Sequence, residues 1–502
     1  MEFVQNFPFF CIIISLFTGP LSSVLSGKKV KWINTAMVSL LTVMNAAVLI
    51  YVLRTGEYYV YKMGHFSAPW GNEIRVGILE AFMALFFCVI MLLCIVSGRL
   101  ETGREVEDSK RNLFYCMTNL LLCSLIALVY TNDLFTAYVF VEINTISACG
   151  LIMIRQTGRT IQAATRYMIM SLLGSGLLLL GLCWLYGITG HLLMSNIQES
   201  VRALVENGEY QIPLLISMCL MVAGLAIKSA LFPFHTWLPD AYGYSTLSSA
   251  TILSSLVSKG YIFLLIKIIY RVIGFDIICS DKVINILFIF GVAGMIFGSI
   301  DAIRTNDIRR MIAYSSVAQI GYIYMGFGLG STEGMIASIY HILVHASTKS
   351  LLFIAASGLT DASDGRRDFL SLTGAGYRNR LAGVTFAVGS MSMIGFPAFS
   401  GFISKLLFAE AAVTHNTKMI ITFVALAIST ILNAAYFMKT VIRIYTPSRK
   451  LNVDTSSYKQ VGILDQPSKS IAMFCLIVLN FVLGLASDPI VDLIKRGLEM
   501  FA

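Results

Sequence analysis

Apolar windows of about 20 residues follow one another along the chain, each long enough to cross the hydrocarbon core of a bilayer as a helix. Backbone groups in lipid must be satisfied within the protein, which leaves helices or a closed barrel. Barrel strands alternate apolar and polar with period two; these windows are continuously apolar, so they predict helices. About fourteen spans follow from the ~20-residue criterion. They lie near 7–25, 33–53, 76–97, 112–130, 133–154, 166–188, 211–232, 247–270, 283–303, 308–328, 334–358, 381–412, 419–440 and 470–488. The longest interruptions, 189–210 and 444–469, read as short polar connections, so a nucleotide-binding or redox domain has nowhere to sit. The stretch GFGLG at Gly326–Gly330 closes an apolar span and lacks a following Lys-Ser/Thr, which makes it a helix end and not a phosphate loop.

Composition agrees. Of the 502 residues 57% are hydrophobic and 13% charged, against about 25% charged in soluble domains. The net charge of +9 does not indicate nucleic acid, because the basic residues are spread over short loops. They concentrate after odd-numbered spans: Lys28, Lys29 and Lys31; Arg99, Arg104, Lys110 and Arg111; Arg155, Arg159 and Arg166; Arg304, Arg309 and Arg310; Arg366, Arg367, Arg378 and Arg380; and Lys439 through Lys469. The opposite side carries fewer, among them Arg54, Lys62, Arg75, Arg202, Lys267, Arg271, Lys282 and Lys418. By the positive-inside rule the odd loops are cytoplasmic and both termini lie outside. The start, MEFVQNFPFF, has Glu2 in place of a positive n-region and reads as a retained first helix, not a cleaved signal. The ten cysteines form no CxxC pair and read as small buried hydrophobes; no metal site and no cofactor site is expected.

Removing the loops leaves a short set of ionisable residues inside spans: Glu142, Lys228, Lys259, His341, His345, Lys349 and Lys405. Any one of them could be a hydrogen-bonding link between helices. A set of both signs spread over five helices instead points to an ion pathway. His341, His345 and Lys349 stand at i, i+4 and i+8 on one helix face, roughly 6 Å apart along the axis, like rungs for a proton. Glu142 is the one carboxylate near the middle of a span, and the cations within spans are all lysine. Lysine changes its proton affinity readily whereas arginine stays charged, so the choice favours proton handling over fixed anion binding. His65, His191 and His415 fall in loops, and His235 falls past a helix break at the water boundary.

Two spans are broken. GLAIKSALFPFHTWLPDAYG (224–243) holds Lys228 ahead of Pro233 and Pro239. MIGFPAFSGFISK (393–405) holds Pro397 ahead of Lys405. Proline removes a backbone donor and clashes with the preceding turn, so each helix breaks there. The two lie five spans apart, so they run in opposite directions. Interrupted segments at matching places in two halves are the mark of inverted repeats. The expected division is 1–111 for the first three helices, 112–272 and 273–443 for two inverted five-helix repeats, and 444–502 for the last helix.

The stretches NDLFTAYVFVEI, IKSALFPFHTWLPDAY, SKGYIFLLIKIIYR, DIRRMIAYSSVAQIGY, HILVHASTKSLLF and GFPAFSGFISK resemble, in order, the antiporter-like subunits shared by Mrp-type Na⁺/H⁺ antiporters, respiratory complex I and membrane-bound hydrogenases. The resemblance implies that Glu142 and Lys228 form a charge pair, that Lys259, His341 and His345 relay protons, and that Lys405 is the terminal carrier. Lys349 matches a family position as well. It further implies a non-catalytic subunit in the cell (inner) membrane, moving protons or exchanging Na⁺ for them. Its partners would be other membrane subunits, lipid and, in some assemblies, a peripheral redox arm. The wording around Lys259 is most similar to hydrogenase and Mrp-type members. Gly243-Tyr244-Ser245-Thr246 departs from the small residue and proline common after WLPDA, which leaves the start of the eighth helix open. Lys405 argues against the branch with glutamate there. A stand-alone transporter of a small solute is the alternative that inverted repeats alone permit; a membrane-embedded enzyme lacks a nucleophile–base pair.

Overall fold

The computed structural model describes residues 3–25, 27–66, 71–280, 283–414, 416–447 and 458–501. Lys282 and His415 lie outside the described residues, as do Glu2 and the side chains of Lys28 and His65. The chain is almost wholly helical. It opens with α1 (Phe7–Val24) and α2 (Gly27–Thr55), a two-stranded antiparallel hairpin of β1 (Tyr59–Lys62) and β2 (Glu73–Val76), then α3 (Ile78–Ser97) and the short α4 (Arg99–Glu105). There follow α5 (Arg111–Tyr130), α6 (Leu134–Met153), α7 (Gly158–Thr189), α8 (Met194–Glu206), α9 (Gln211–Lys228), α10 (Leu238–Tyr244), α11 (Leu247–Ile252), α12 (Ser258–Ile268) and α13 (Phe275–Ser280). The rest comprises α14 (Val283–Arg304), α15 (Ile308–Leu329), α16 (Thr332–Asp361), α17 (Ala375–Arg378), α18 (Arg380–Ile394), α19 (Ser400–Val413), α20 (Asn416–Ile444), α21 (Pro467–Leu485) and α22 (Ser487–Glu499). Among the described residues 12 helical segments are long and apolar enough to cross a membrane. The chain is a multi-pass membrane protein.

Burial sorts these helices. The Leu247–Ile273 segment and α16 are enclosed by the rest of the protein, while α2, α7, α20 and α21 turn much of their surface outward. The outward positions include Ile169, Leu172, Leu173, Ile420 and Ile431, a lipid-facing apolar skin. Close helix approach rests on small residues, as membrane packing requires. A Cβ on Gly224 of α9 would lie 2.5 Å from the Gly174 carbonyl oxygen of α7, and one on Gly174 would lie 3.1 Å from Cγ of Lys228. Gly224→Val is therefore expected to force α7 and α9 apart at a cost of about 1–3 kcal/mol. The measure is a lowered thermal midpoint of the detergent-solubilised protein.

Both spans are interrupted, but Pro239 breaks no helix: it stands in the first turn of α10, where a proline's missing N–H is not needed. α9 ends at Lys228 itself, five residues before Pro233, and Ala230 takes φ +63°. α18 ends at Ile394, followed by Gly395 at φ +94° and Ala398 at φ +72°. Between α11 and α12 the helix widens into a π turn, Leu253–Val257, directly ahead of Lys259. Such turns misalign the backbone ladder and recur at functional sites. Thr246 settles the start of this helix: its hydroxyl caps the Ser249 amide, so no proline is needed.

Three expectations need correction. Residues 189–210 are not a bare polar connection, since α8 forms there and buries Met194, Ile197 and Val201 on one face. Lys267 and Arg271 are not loop residues but lie inside the helix, each at most 1% exposed, so the buried cations are not all lysine. His235 is covered by protein and not open to water: it is only 8% exposed, stacked on Phe232 and 4.0 Å from Asp301.

Candidate functional site: a buried row of ionisable side chains

The enclosed helices bring most of the ionisable residues together. Lys228, Lys259, His345 and Lys349 are fully buried, His341 is nearly so, and Glu142 and Lys405 are partly covered. At one end Lys228 Nζ lies 3.9 Å from Glu142 Oε1 and donates a hydrogen bond of 2.7 Å to Thr145 Oγ1. Thr145 stands one turn beyond Glu142 on α6. Its hydroxyl is 3.3 Å from that of Tyr261, which donates to Asn144 Oδ1 at 2.9 Å; Asn144 in turn donates to Ser124 at 2.8 Å. The Tyr261 ring also faces the lysine at 5.3 Å. The ammonium is thus held by a hydroxyl and a ring, and its carboxylate partner stays just beyond hydrogen-bond range.

In the middle, Lys259 donates to the Ser254 carbonyl, a group freed by the π turn. Lys349 donates to Ser315 and, at 2.9 Å, to the Ile312 carbonyl. Ser255 and Ser350 join α16 to this helix at 2.7 Å. His341 and His345 stack at a centroid distance of 6.2 Å, the spacing expected of rungs one turn apart. Both ring nitrogens of His345 are buried without a protein hydrogen bond among the described residues.

At the other end His341 Nδ1 is 2.6 Å from Ser404 Oγ, one residue before Lys405. The Tyr322 ring stacks on His341 at 5.3 Å and faces Lys405 Nζ at 5.7 Å. Lys405 reaches back across the break to donate to the Ile394 carbonyl at 2.6 Å and to Thr430 at 2.8 Å. Its charge therefore sits at the C-terminal end of α18, where the helix dipole favours a cation. Lys228 precedes its break and Lys405 follows its own, so the two broken helices do not offer their lysines in the same way.

Thr145, Tyr261, Asn144, Tyr322 and Ser404 were invisible as partners in the sequence, being ordinary polar residues until the helices pack. Two further buried groupings were also missed. Arg271 pairs with Glu80 of α3, and Lys267 donates to the carbonyls of Leu128, Val129 and Thr131, which closes the C-terminal end of α5. No group of three or more His, Cys, Asp or Glu able to hold a metal occurs among the described residues.

Residues 131–431 match the family described as NADH:quinone oxidoreductase/Mrp antiporter, TM. The chain is 32% identical over 406 residues to NADH-quinone oxidoreductase subunit N of Desulforudis audaxviator, covering 80% of this chain and 78% of that one. It is 27% identical over 433 residues to a Na⁺/H⁺ antiporter subunit of Alkalihalophilus pseudofirmus, covering 86% and 84%. Among solved structures its fold matches a chain of an archaeal membrane-bound sulfane sulfur reductase with TM-score 0.87, at 24% identity, covering 100% of this chain and 98% of that one. A chain of the Mrp complex of Dietzia sp. matches with TM-score 0.86, at 22% identity, covering 99% and 97%. The chain therefore belongs to the NADH:quinone oxidoreductase/Mrp antiporter family of transmembrane subunits.

Proposed function

We propose that this chain is a proton-translocating membrane subunit of a multisubunit complex of the respiratory, hydrogenase or Mrp type, and that Na⁺ exchange rests on the same path. The observation that carries it is the gathering of Glu142, Lys228, Lys259, His341, His345, Lys349 and Lys405 in one row, with Lys228, Lys259, His341, His345 and Lys349 buried and Lys228 and Lys405 at breaks in helices. Broken helices at membrane depth persist where they line protein or water. In this reading a change at the Glu142–Lys228 pair, driven by partner subunits, alters the proton affinity of Lys228. The proton moves past Tyr261 to Lys259, across His345 and His341, and leaves from Lys405. Lys349, at the base of the row, is a further protonatable group of the same path.

The same reading assigns about fourteen spans, with 308–328 and the broken 381–412 joining the more apolar helices, and both termini on the outer side of the cell membrane. It divides the chain into 1–111, inverted repeats 112–272 and 273–443, and 444–502. Support comes from a pair of matching corners. Thr131-Asn132-Asp133 and Thr305-Asn306-Asp307 each precede a helix whose first amides the aspartate caps. In both, the next residue donates to a loop carbonyl, Leu134 to Leu192 and Ile308 to Arg367. Asn132 and Asn306 accept in return, from Met194 and Phe369.

The test is proton movement in inverted membrane vesicles holding the native complex, with Lys259→Met against wild type. A loss of about tenfold or more is expected, in line with removal of a positioned proton carrier. Unchanged proton movement by an assembled Lys259→Met complex overturns the path. Transport of a small solute by the purified chain alone would favour the stand-alone transporter.

A further inference from the structure

Away from this row lies a second enclosed charge cluster. Lys469 in the first turn of α21 is 2% exposed at the side chain and pairs with Glu101 of α4, itself 6% exposed there. It also pairs with Asp361 at 2.7 Å and donates to Ser357 at 3.0 Å. Gln466 donates to Asp361 at 3.0 Å, and Ser357 donates to Glu101 Oε1 at 3.4 Å. The second Glu101 oxygen, Oε2, is buried with no protein partner among the described residues. Arg378 of α17 comes near only through the Ala362 carbonyl and Ser363. Two carboxylates thus share one ammonium in a covered site, one negative charge too many for its surroundings.

The placement on α16 gives the cluster a direction. His341, His345, Lys349, Phe353, Ser357 and Asp361 recur every four residues, so each stands one turn above the next in a ladder that winds slowly around the helix, by about 40° per rung. The polar row does not stop at Lys349. After a single apolar rung, the fully buried Phe353, it resumes at Ser357 and reaches Asp361, whose side chain is 24% exposed. Lys349 and Ser357 are eight residues apart, about 12 Å along the axis.

We infer that Glu101, Lys469 and Asp361 form a proton-loading port at the end of α16, which feeds the buried row through Ser357. This rests on the ion-translocating reading above. A proton from water on the Asp361 side passes to the free Glu101 oxygen, converting carboxylate to carboxylic acid and leaving Lys469 paired with Asp361. When Phe353 swings aside and water enters, the acid returns that proton to the neutral amine of Lys349, which becomes ammonium, and Glu101 is a carboxylate again. At rest Phe353 separates port from row and prevents a continuous leak.

The experiment uses the native complex in vesicles, with Glu101→Gln, Glu101→Asp, Lys469→Arg and Lys228→Ala prepared alongside and the amount of assembled complex measured for each. Glu101→Gln is expected to lower the proton rate per assembled complex by about tenfold and to change its pH profile. Glu101→Asp is expected to restore much of the rate, and Lys469→Arg, which keeps the positive charge, to retain it. If the three groups merely hold α4, α16 and α21 together, Glu101→Gln lowers assembly while rate per complex and pH profile stay as in wild type, and the port is overturned. It is equally overturned if Glu101→Gln abolishes a dependence on Na⁺, since the cluster then binds sodium in place of protons. Loss with Lys228→Ala but not with Glu101→Gln removes the port alone. No loss with either removes the ion-translocating reading itself.

Discussion

Lys228→Ala is expected to abolish coupled ion movement, and Glu142→Ala to do the same, while the complex still assembles. At 3.9 Å the two charges attract by about 4 kcal/mol at an effective dielectric of ~20. That is enough to bias by several hundred-fold whether the lysine holds its proton. In the proposed path the amine is the proton's stop between Thr145 and Tyr261, and the carboxylate is what switches it. The check is proton and Na⁺ flux in vesicles driven by the native energy source, normalised to assembled complex. Near-normal flux with both variants would sink the mechanism. Lys228→Arg is expected to fail nearly as completely, because a guanidinium stays charged across the working range. That variant separates proton release from mere charge.

Arg271→Ala carries the largest expected effect on stability. Arg271 and Glu80 are buried at 1% and 0% side-chain exposure, and truncating one partner leaves the other charge unpaired in a low-dielectric interior. Such a loss typically costs about 3–5 kcal/mol. The guanidinium also lies 4.0 Å from the Phe501 ring, so the end of the chain loosens with it. Arg271→Ala is expected to yield little assembled protein. The double change Glu80→Leu with Arg271→Met, which removes both charges and keeps volume, is expected to recover most of it, and thermal denaturation in detergent measures both. Recovery with transport intact would mean that this pair is structural and stands outside the ion path.

How much of this was legible in the chain differs from feature to feature. The membrane-spanning helical character, the two interrupted helices and the ionisable residues among them could be read directly, because lipid forbids exposed backbone and discourages charge. The row on α16 was legible too, since i, i+4 and i+8 share a face whatever surrounds them. Lys267 and Arg271 were counted as boundary charges because they fall at the end of the 247–270 span, whereas the helix continues through them into a closed interior. His235 was misplaced for a related reason: a chain that breaks at Pro233 can turn back into the protein as easily as out to water. The corners at Asp133 and Asp307 were present as a repeated Thr-Asn-Asp, yet three letters gain weight only when both are seen capping a helix and clasping a distant loop.

What the sequence by itself determined is a multi-pass helical protein with a stock of protonatable groups at membrane depth, because each span must satisfy its own backbone and each charge within one needs a reason. Only the tertiary structure decided which groups meet. It set Lys228 against Thr145 and Tyr261 as well as Glu142, bent Lys405 back to the end of α18, paired Arg271 with Glu80, and joined Glu101, Asp361 and Lys469 at the end of α16. Helix periodicity governs neighbours along one helix, within a few residues. Partners across helices depend on where small residues let two backbones close in, and that is a property of the packed whole.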